Sequence, residues 1–397
     1  MSGARRESPA RAFPLAPSQA DGRERIFVYR HRLAPLSEVG FLRRFYIGFE
    51  RLAPIWLGCH RDEGARELAA KPLFLGRGGA LGALDRTLFR QLGVLPPFPD
   101  LGAQGARLIH AHFGRGGAFA LPIAKALGIP LVVTFHGGDA TKERHYRRHL
   151  LPHVFERRLE ALKERTALFV CVSGFVRDCL LARGFPPEKL VVIHQGIEID
   201  PAPLEPPAAG APYVLFVGRF VEKKGAAHLI AAARLLEKRA PQLAFVLVGD
   251  GALAASLKEE ARSLSRVSFP GWLPQGEVRR LMRGALALAV PSVTARSGDA
   301  EGLPTVVLEA MSEGVPVIGS DHPGIAEAVE DGRTGLIVPA ADPEALAGAI
   351  AALLARPQWR ERMGEAARAA AALRFSALTQ SRRLEEALLK VIEAGSR

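Results

Sequence analysis

Asp299-Ala-Glu301-Gly-Leu-Pro304-Thr-Val-Val-Leu-Glu309-Ala-Met311 follows the apolar run Leu286-Ala-Leu-Ala-Val290, and together they read as strand, loop and helix. Pro304 suits the first position of a helix, where its missing N–H costs nothing and its fixed φ fits. The unpaired N–H groups of that first turn then form an anion site. Glu301 lies in the loop beside this site and Glu309 on the helix beyond it. One acid thus borders a phosphate pocket, and the other is within reach of a hydroxylated neighbour. Two glutamates eight apart are common; the same pair around Gly-Leu-Pro after a strand is much rarer. The bland alternative is a surface helix with acids near its start, which the helix dipole favours anyway.

Outward from this unit, short β-rich runs alternate with amphipathic helical stretches. In the first half the strands are placed at 26–29, 107–111, 130–135, 167–172 and 190–193, and in the second at 213–217, 244–248, 266–269, 285–290, 316–319 and 335–338. Such alternation argues for parallel sheets covered on both faces. The fold class is therefore α/β, with two doubly wound, Rossmann-like domains facing across a cleft and sites in the strand-exit loops. Pro201 to Pro212 is a linker by composition. The limits are a disordered tail at 1–24, a first domain at 25–205, a second at 206–375, and a C-terminal helix at 376–397 expected to pack back on the first domain.

The chain has 397 residues and a formal net charge of +12. The excess is lopsided: residues 1–200 carry 30 Lys+Arg against 19 Asp+Glu, and residues 201–397 carry 23 against 22. The densest basic stretch, Lys142 to Arg165, could face anionic lipid or an anionic acceptor, or be a solvated helix face. Without a zinc finger or RNA-binding aromatic motif, nucleic acid is the least expected partner. No apolar run reaches the ~18 residues that span a bilayer, and the start lacks the apolar core of a secretory signal. Cys59, Cys171 and Cys179 show no metal spacing and fit a reducing cytoplasm. No metal or other cofactor is expected.

Gly218-Arg219-Phe-Val-Glu-Lys-Lys224-Gly225 leaves the first strand of the second half, before a helix beginning near Ala226. Arg219 and Lys224 can converge there on a diphosphate; the alternative is a basic loop on a basic protein. Gly249-Asp-Gly251-Ala-Leu-Ala254 matches a dinucleotide fingerprint, but no acidic residue follows at the required distance. In the first half, Ile109-His-Ala-His112-Phe-Gly114 and Phe135-His136-Gly137-Gly138-Asp139 put two histidines at strand exits. Glycines directly after them let a ligand approach the backbone. A lone strand-end histidine is more often structural, and Gly114, Gly116 and Gly117 can serve only to pack a helix.

In the order Gly218-Arg219…Lys224-Gly, Leu-Val-Gly249-Asp-Gly251, Phe-Pro-Gly271-Trp-Leu-Pro, Val-Pro291-Ser292, Glu301-Gly-Leu-Pro…Glu309, Gly314-Val-Pro and Gly332-Arg-Thr-Gly335, these motifs resemble retaining glycosyltransferases of family 4. The resemblance covers essentially residues 26–390, and the first-half motifs are similar to its exopolysaccharide branch, colanic-acid-type transferases included. It implies a GT-B fold with the nucleotide-sugar donor on the second domain and the acceptor on the first. Carried over, Arg219 and Lys224 bind the donor diphosphate, Glu301 contacts the donor sugar, and Glu309 holds the ribose hydroxyls. Gly302, Leu303 and Thr305 join that donor site, while Trp272 and Leu273 frame the base. His136 faces the sugar near the reacting carbon. His112, Asp139 and Gly114 form a second tier of acceptor or sugar contacts. The catalytic set is His136, Arg219, Lys224 and Glu301.

The implied activity is hexosyl transfer from a UDP- or GDP-sugar to a hydroxyl of a glycan or lipid-linked acceptor in cell-surface polysaccharide synthesis, at the cytoplasmic membrane face. Alternatives are a GT-B nucleotide-sugar epimerase or hydrolase, or a non-catalytic nucleotide-sugar-binding subunit. The loop after the first strand, Tyr29 to Gly40, lacks the Gly-Gly pair of many relatives. Gln195 stands where Asn is frequent and carries no assigned role, Ser173 reads as a helix cap, and His322 as structural or a loop contact.

Overall fold

The computed structural model describes residues 22–33, 41–61, 72–77, 79–96, 101–142, 154–200 and 210–395. Seven parallel strands build the first sheet: β1 (Glu24–Tyr29), β2 (Leu52–Gly58), β3 (Leu73–Phe74), β4 (Ala106–His112), β5 (Leu131–Phe135), β6 (Leu168–Cys171) and β7 (Leu190–Val192). Their order is β3-β2-β1-β4-β5-β6-β7. The second sheet comprises β8 (Tyr213–Val217), β9 (Ala244–Val248), β10 (Val267–Gly271), β11 (Ala287–Val290), β12 (Val317–Ser320) and β13 (Gly335–Val338). It runs β10-β9-β8-β11-β12-β13. These are the two doubly wound sheets that the alternating pattern predicts. Central strands such as Leu131–Phe135 and Ala287–Val290 are buried at every residue, because helices cover both faces of a parallel sheet.

Strand β2 is absent from the sequence reading because Pro54 interrupts it. The structure tolerates that proline where β2 is flanked on one side only. Ile26 of β1 pairs with Pro54, whereas β3 joins β2 only at Leu57 and Gly58. A residue without an N–H is accommodated where no second neighbour needs one.

Packing divides the chain into unit 1 (Met1–Thr134, Pro152–Leu168 and Glu385–Arg397) and unit 2 (Phe135–Leu151 and Phe169–Leu384). The strand exits after β5 and β6 thus belong with unit 2, although both precede the sequence boundary near 206. The expected tail lies largely outside the described residues, as do 201–209 of the linker and 143–153 of the basic stretch.

In unit 2, helix Ala226–Leu236 packs its Leu229, Ile230 and Ala233 with Leu346, Ile350 and Leu353 of helix Pro343–Ala355. The second helix starts as Asp-Pro sequences do: Asp342 accepts from the Ala345 N–H at 2.9 Å, and Pro343 follows. The last helix, Ala377–Gly395, brings Glu385 into unit 1. There its buried carboxylate accepts from the N–H groups of Glu50 (3.0 Å), Arg51 (2.8 Å) and Leu52 (2.7 Å). It fixes the entry to β2.

Candidate active site

Strand order reverses in the second sheet between β8 and β11. At such a point the loops leave in opposite directions and open a crevice at the carboxyl ends. The loop after β8 carries Arg219 and a single 3-10 turn, Glu222–Lys224, and the loop after β11 carries Asp299 and Glu301. They meet through charge: Lys224 Nζ lies 3.0 Å from Glu301 Oε1, with Lys223 Nζ 3.7 Å from the same oxygen. Lys223 Nζ also bonds Asp299 Oδ1 at 3.1 Å. Gly225, with φ of 67°, caps helix Ala226–Leu236, and a Cβ there would stand 1.7 Å from the Pro291 carbonyl oxygen. Only glycine lets the two loops approach this closely.

Glu301 is buried. Burial alone would raise its carboxyl, but Lys224 and Lys223 outweigh that and hold it below its ordinary value. The group is an anion. It can accept a hydrogen bond from a sugar hydroxyl and neutralise a cation, and it is poorly suited to deliver a proton.

The Gly249-Asp-Gly251 turn has a structural task. At φ of 139° and 156°, its glycines lie against the backbone of Gly218 and Phe220, where Cβ atoms would come within 1.9 and 2.6 Å. Phe220 donates to the Asp250 carbonyl at 2.8 Å, and Leu253 donates to the Phe220 carbonyl at 3.0 Å. The resemblance to a dinucleotide fingerprint thus comes from a turn that holds the Arg219 loop. Arg219 itself is exposed at the strand exit.

The exit of β5 forms the facing wall. Asp139 Oδ1 accepts from the N–H groups of His136 and Gly137, both at 2.9 Å, and so shapes the turn that carries His136. Gly137, with φ of 129°, abuts Gly302: a Cβ on Gly137 would meet Gly302 N at 2.6 Å, and one on Gly302 would meet the His136 carbonyl oxygen at 2.4 Å. Lys142 Nζ pairs with Asp299 Oδ2 at 3.2 Å, and Thr141 Oγ1 accepts from Ala300 N at 3.1 Å. His136 and Glu301 therefore sit on two loops locked backbone to backbone.

Two buried residues to which the sequence gives no site role complete the lock. Ser173 caps helix Gly174–Ala182 as its sequence suggests, accepting from Val176 N at 3.1 Å, and its hydroxyl also donates to the Gly302 carbonyl at 2.9 Å. The Gln195 amide donates to the Leu303 carbonyl and, at 2.9 Å, to Thr305 Oγ1. His322 accepts from Gly324 N at 3.2 Å, its ring edge-on to Phe175, and a Cβ on Gly324 would meet the Gly302 carbonyl oxygen at 2.4 Å. Serine as a cap was legible; the second bond each residue makes across the fold was not.

Helix Thr305–Ser312 begins one residue later than the sequence predicts, with Pro304 as its cap residue at φ −66° and ψ 118°. Glu309 lies half-buried on this helix, and Thr305 opens it. Trp272 is 67% exposed at the end of edge strand β10, with Leu273 half-buried beside it. His112, expected in the second tier of contacts, ends β4. It is fully buried, 2.6 Å from the Tyr46 hydroxyl, which also bonds His110 Nδ1 at 2.7 Å, while His110 Nε2 meets Thr134 Oγ1 at 2.7 Å. Its apolar strand end buries the ring in unit 1. Gly114 opens helix Gly114–Leu127. Gly117 lets that helix approach β5, where a Cβ would meet Val133 Cγ2 at 2.7 Å.

Among the described residues, no three His, Cys, Asp or Glu side chains cluster as a metal site would require, and no helix is long and apolar enough to cross a membrane. Two family models match: "Glycosyltransferase Family 4" over residues 59–201 and "Glycosyl transferases group 1" over residues 204–370. Amylovoran biosynthesis glycosyltransferase AmsK of Erwinia amylovora is 34% identical over 62% of the chain, and the match spans 60% of AmsK. A GDP-mannose-dependent alpha-(1-6)-phosphatidylinositol monomannoside mannosyltransferase of Mycolicibacterium smegmatis is 30% identical over 74% of the chain and 81% of its own length. Among solved structures, Anabaena Alr3699/HepE in complex with UDP superposes with a TM-score of 0.68 at 19% identity, covering 93% of this chain and all of that one. The architecture is GT-B.

Proposed function

The chain belongs to the family 4 glycosyltransferases, and from that premise we propose that it is a retaining hexosyltransferase of cell-surface polysaccharide synthesis. It moves a hexosyl group from a UDP- or GDP-sugar to a hydroxyl of a glycan or lipid-linked acceptor. The observation that carries this reading is the Lys224–Glu301 pair at the reversal point of the second sheet, with Arg219 at the same exit and the His136 loop locked onto Gly302. AmsK and the mannosyltransferase, by name a polysaccharide-building and a GDP-sugar-dependent enzyme, support the substrate class.

In this reading the donor diphosphate takes the Lys224 ammonium from Glu301 and joins it to Arg219. Neutralising a leaving group in this way is worth roughly 10²–10³ in rate per donor group. The freed Glu301 carboxylate accepts from a sugar hydroxyl, Glu309 from the ribose, and Trp272 and Leu273 border the base. The anomeric C–O bond to the diphosphate breaks as the acceptor oxygen bonds to the same carbon on the same face. The acceptor's proton passes to the departing phosphate oxygen. Positive charge comes from the two side chains and not from a metal, so EDTA should leave turnover unchanged. The first half holds the acceptor, and Lys/Arg of 142–165 hold the enzyme at anionic lipid; liposome binding that survives their change to Gln refutes the latter.

The test is a binding screen of UDP-, GDP-, ADP- and dTDP-sugars with Lys224→Ala as control. One donor should bind, and weaken at least tenfold in the variant. No binding by any donor, or binding indifferent to Lys224, refutes the site. Donor breakdown without acceptor would favour a hydrolase or epimerase.

A further inference from the structure

The exits of β11 and β12 lie side by side, since these strands pair in parallel with Val290 opposite Gly319. The Ser320 hydroxyl at the end of β12 donates to the Ser292 carbonyl at 2.5 Å and ties the two exits together. Asp321 is exposed and pins the other side of the turn. Its N–H donates to the Val338 carbonyl at 2.8 Å, and its carboxylate accepts from Ala340 N at 2.9 Å. His322, which follows, is buried, with 6% of its surface exposed. Gly324, two residues on, lies against the Glu301 loop: a Cβ there would stand 2.7 Å from the Glu301 carbonyl oxygen.

The imidazole is held at two points. Nδ1 accepts from the Gly324 N–H at 3.2 Å, and the ring stands edge-on to Phe175 with centroids 5.1 Å apart. Burial, helped by Lys223, holds the ring below its ordinary value against the opposing pull of Glu301 and Asp321. The ring is therefore neutral at neutral pH, and with Nδ1 accepting, the proton sits on Nε2. That N–H has no hydrogen-bond partner among the described residues. Glu301 and His322 act on each other's charge, so both groups belong to the same crevice. A buried N–H without an acceptor is uncommon in a folded protein. Capping alone does not ask for histidine: Ser173 and Asp342 each cap a helix with one oxygen.

We propose that His322 binds the transferred sugar, its Nε2–H donating to a hexose hydroxyl beside the Glu301 carboxylate. The inference rests on the transferase reading above and adds a residue to which that reading gives no role. A hydroxyl both donates and accepts. Glu301, an anion, can only accept, and His322, with its proton on Nε2, can only donate toward the crevice. Together they read hydroxyls in both senses, which a carboxylate alone cannot do. A site built to hydrogen-bond a hydroxyl discriminates strongly against a substrate that lacks it. His322 therefore sets the preference for the donor's sugar and not the affinity for its nucleotide.

The experiment separates the capping nitrogen from the donating one. His322→Asn keeps an oxygen near the Nδ1 position to accept from the Gly324 N–H, and it removes the Nε2–H. His322→Gln does the reverse: its longer amide reaches the Nε2 position and gives up the cap. Calorimetric titration of the full chain compares each nucleotide sugar that binds in the screen above with its bare nucleoside diphosphate, UDP-glucose with UDP and GDP-mannose with GDP. His322→Asn should weaken the nucleotide sugar about tenfold and leave the nucleoside diphosphate within about twofold of native. His322→Gln should keep most of the preference for the sugar while melting at a lower temperature than His322→Asn.

Three results overturn the proposal. The first is a folded His322→Asn chain with the native preference for nucleotide sugar over bare diphosphate. The second is equal weakening of both ligands in that variant, as a distorted loop would give. The third is a folded His322→Gln chain that has lost the preference as fully as His322→Asn. Any of these, with nucleotide-sugar binding still dependent on Lys224, sinks this inference alone. Absence of any nucleotide-sugar binding by the native chain sinks the transferase reading, and this inference with it.

Discussion

Gly302→Ala tests whether the contact between the two loops sets the geometry of the site. The new Cβ would stand 2.4 Å from the His136 carbonyl oxygen and 2.7 Å from Gly137 Cα. Both are backbone atoms, so no flexible side chain can swing aside. An ordinary contact begins at 3.4 Å, and the loops must part by roughly 1 Å. Gly302 lies outside the left-handed region, so the effect is displacement and not backbone strain. Overpacking of this kind costs about 1–3 kcal/mol, and a ~1 Å shift of a positioning group can lower turnover about 100-fold. Donor affinity should fall less, because the Lys224–Glu301 pair is made between loops of the second sheet and not through the His136 turn.

Urea unfolding gives the first quantity and steady-state turnover with the donor found by the screen gives the second. Gly348→Ala is the control: its Cβ would meet nothing within 4 Å in the exposed middle of helix Pro343–Ala355, so it should stabilise by about 0.5–1 kcal/mol and leave turnover intact. Wild-type stability and turnover in Gly302→Ala would refute the loop-lock argument.

Glu385→Ala should destabilise by about 3 kcal/mol, since three backbone donors at the entry of β2 lose a charged acceptor; a loss under ~1 kcal/mol in urea refutes it. Gln195→Ala and Ser173→Ala should lower turnover more than donor affinity, because each orients the 302–305 loop without facing the ligand; equal losses in both constants would argue against positioning. Stability should fall with acid below pH ~6.5, because burial pushes the fully buried His110 down to about 3 while the unfolded chain takes up the proton. The contribution is complete above the unfolded value and is lost as pH falls, by about 2 kcal/mol at pH 5, with His31 acting in the same direction. A stability profile flat from pH 7 to pH 5 would refute this. Alkylation should reach Cys179 first, since burial pushes Cys59 and Cys171 up to about 12.

What the sequence reveals and what it hides divide along a physical line. Strand β8, its Lys224 loop and the helix from Ala226 were legible because apolar run, glycine and amphipathic helix are local signals. The Glu301–Lys224 meeting was legible at one remove, since a parallel sheet brings successive strand exits to one edge. Pro54 hid β2, because a proline counts against a strand unless its missing N–H faces no partner, which only the neighbouring strand reveals. His112 and His136 look alike in sequence, each at a strand exit beside glycine. They part because Tyr46, more than sixty residues before His112, buries the first, whereas the Asp139 turn holds the second beside Gly302. Gln195 and Ser173 act on carbonyl oxygens more than a hundred residues away, and a carbonyl has the same chemistry at every position, so no residue type in the 302–305 loop announces such a partner. The ionic half of the site is written in side-chain identity, and its rigidity comes from backbone atoms that the sequence does not distinguish.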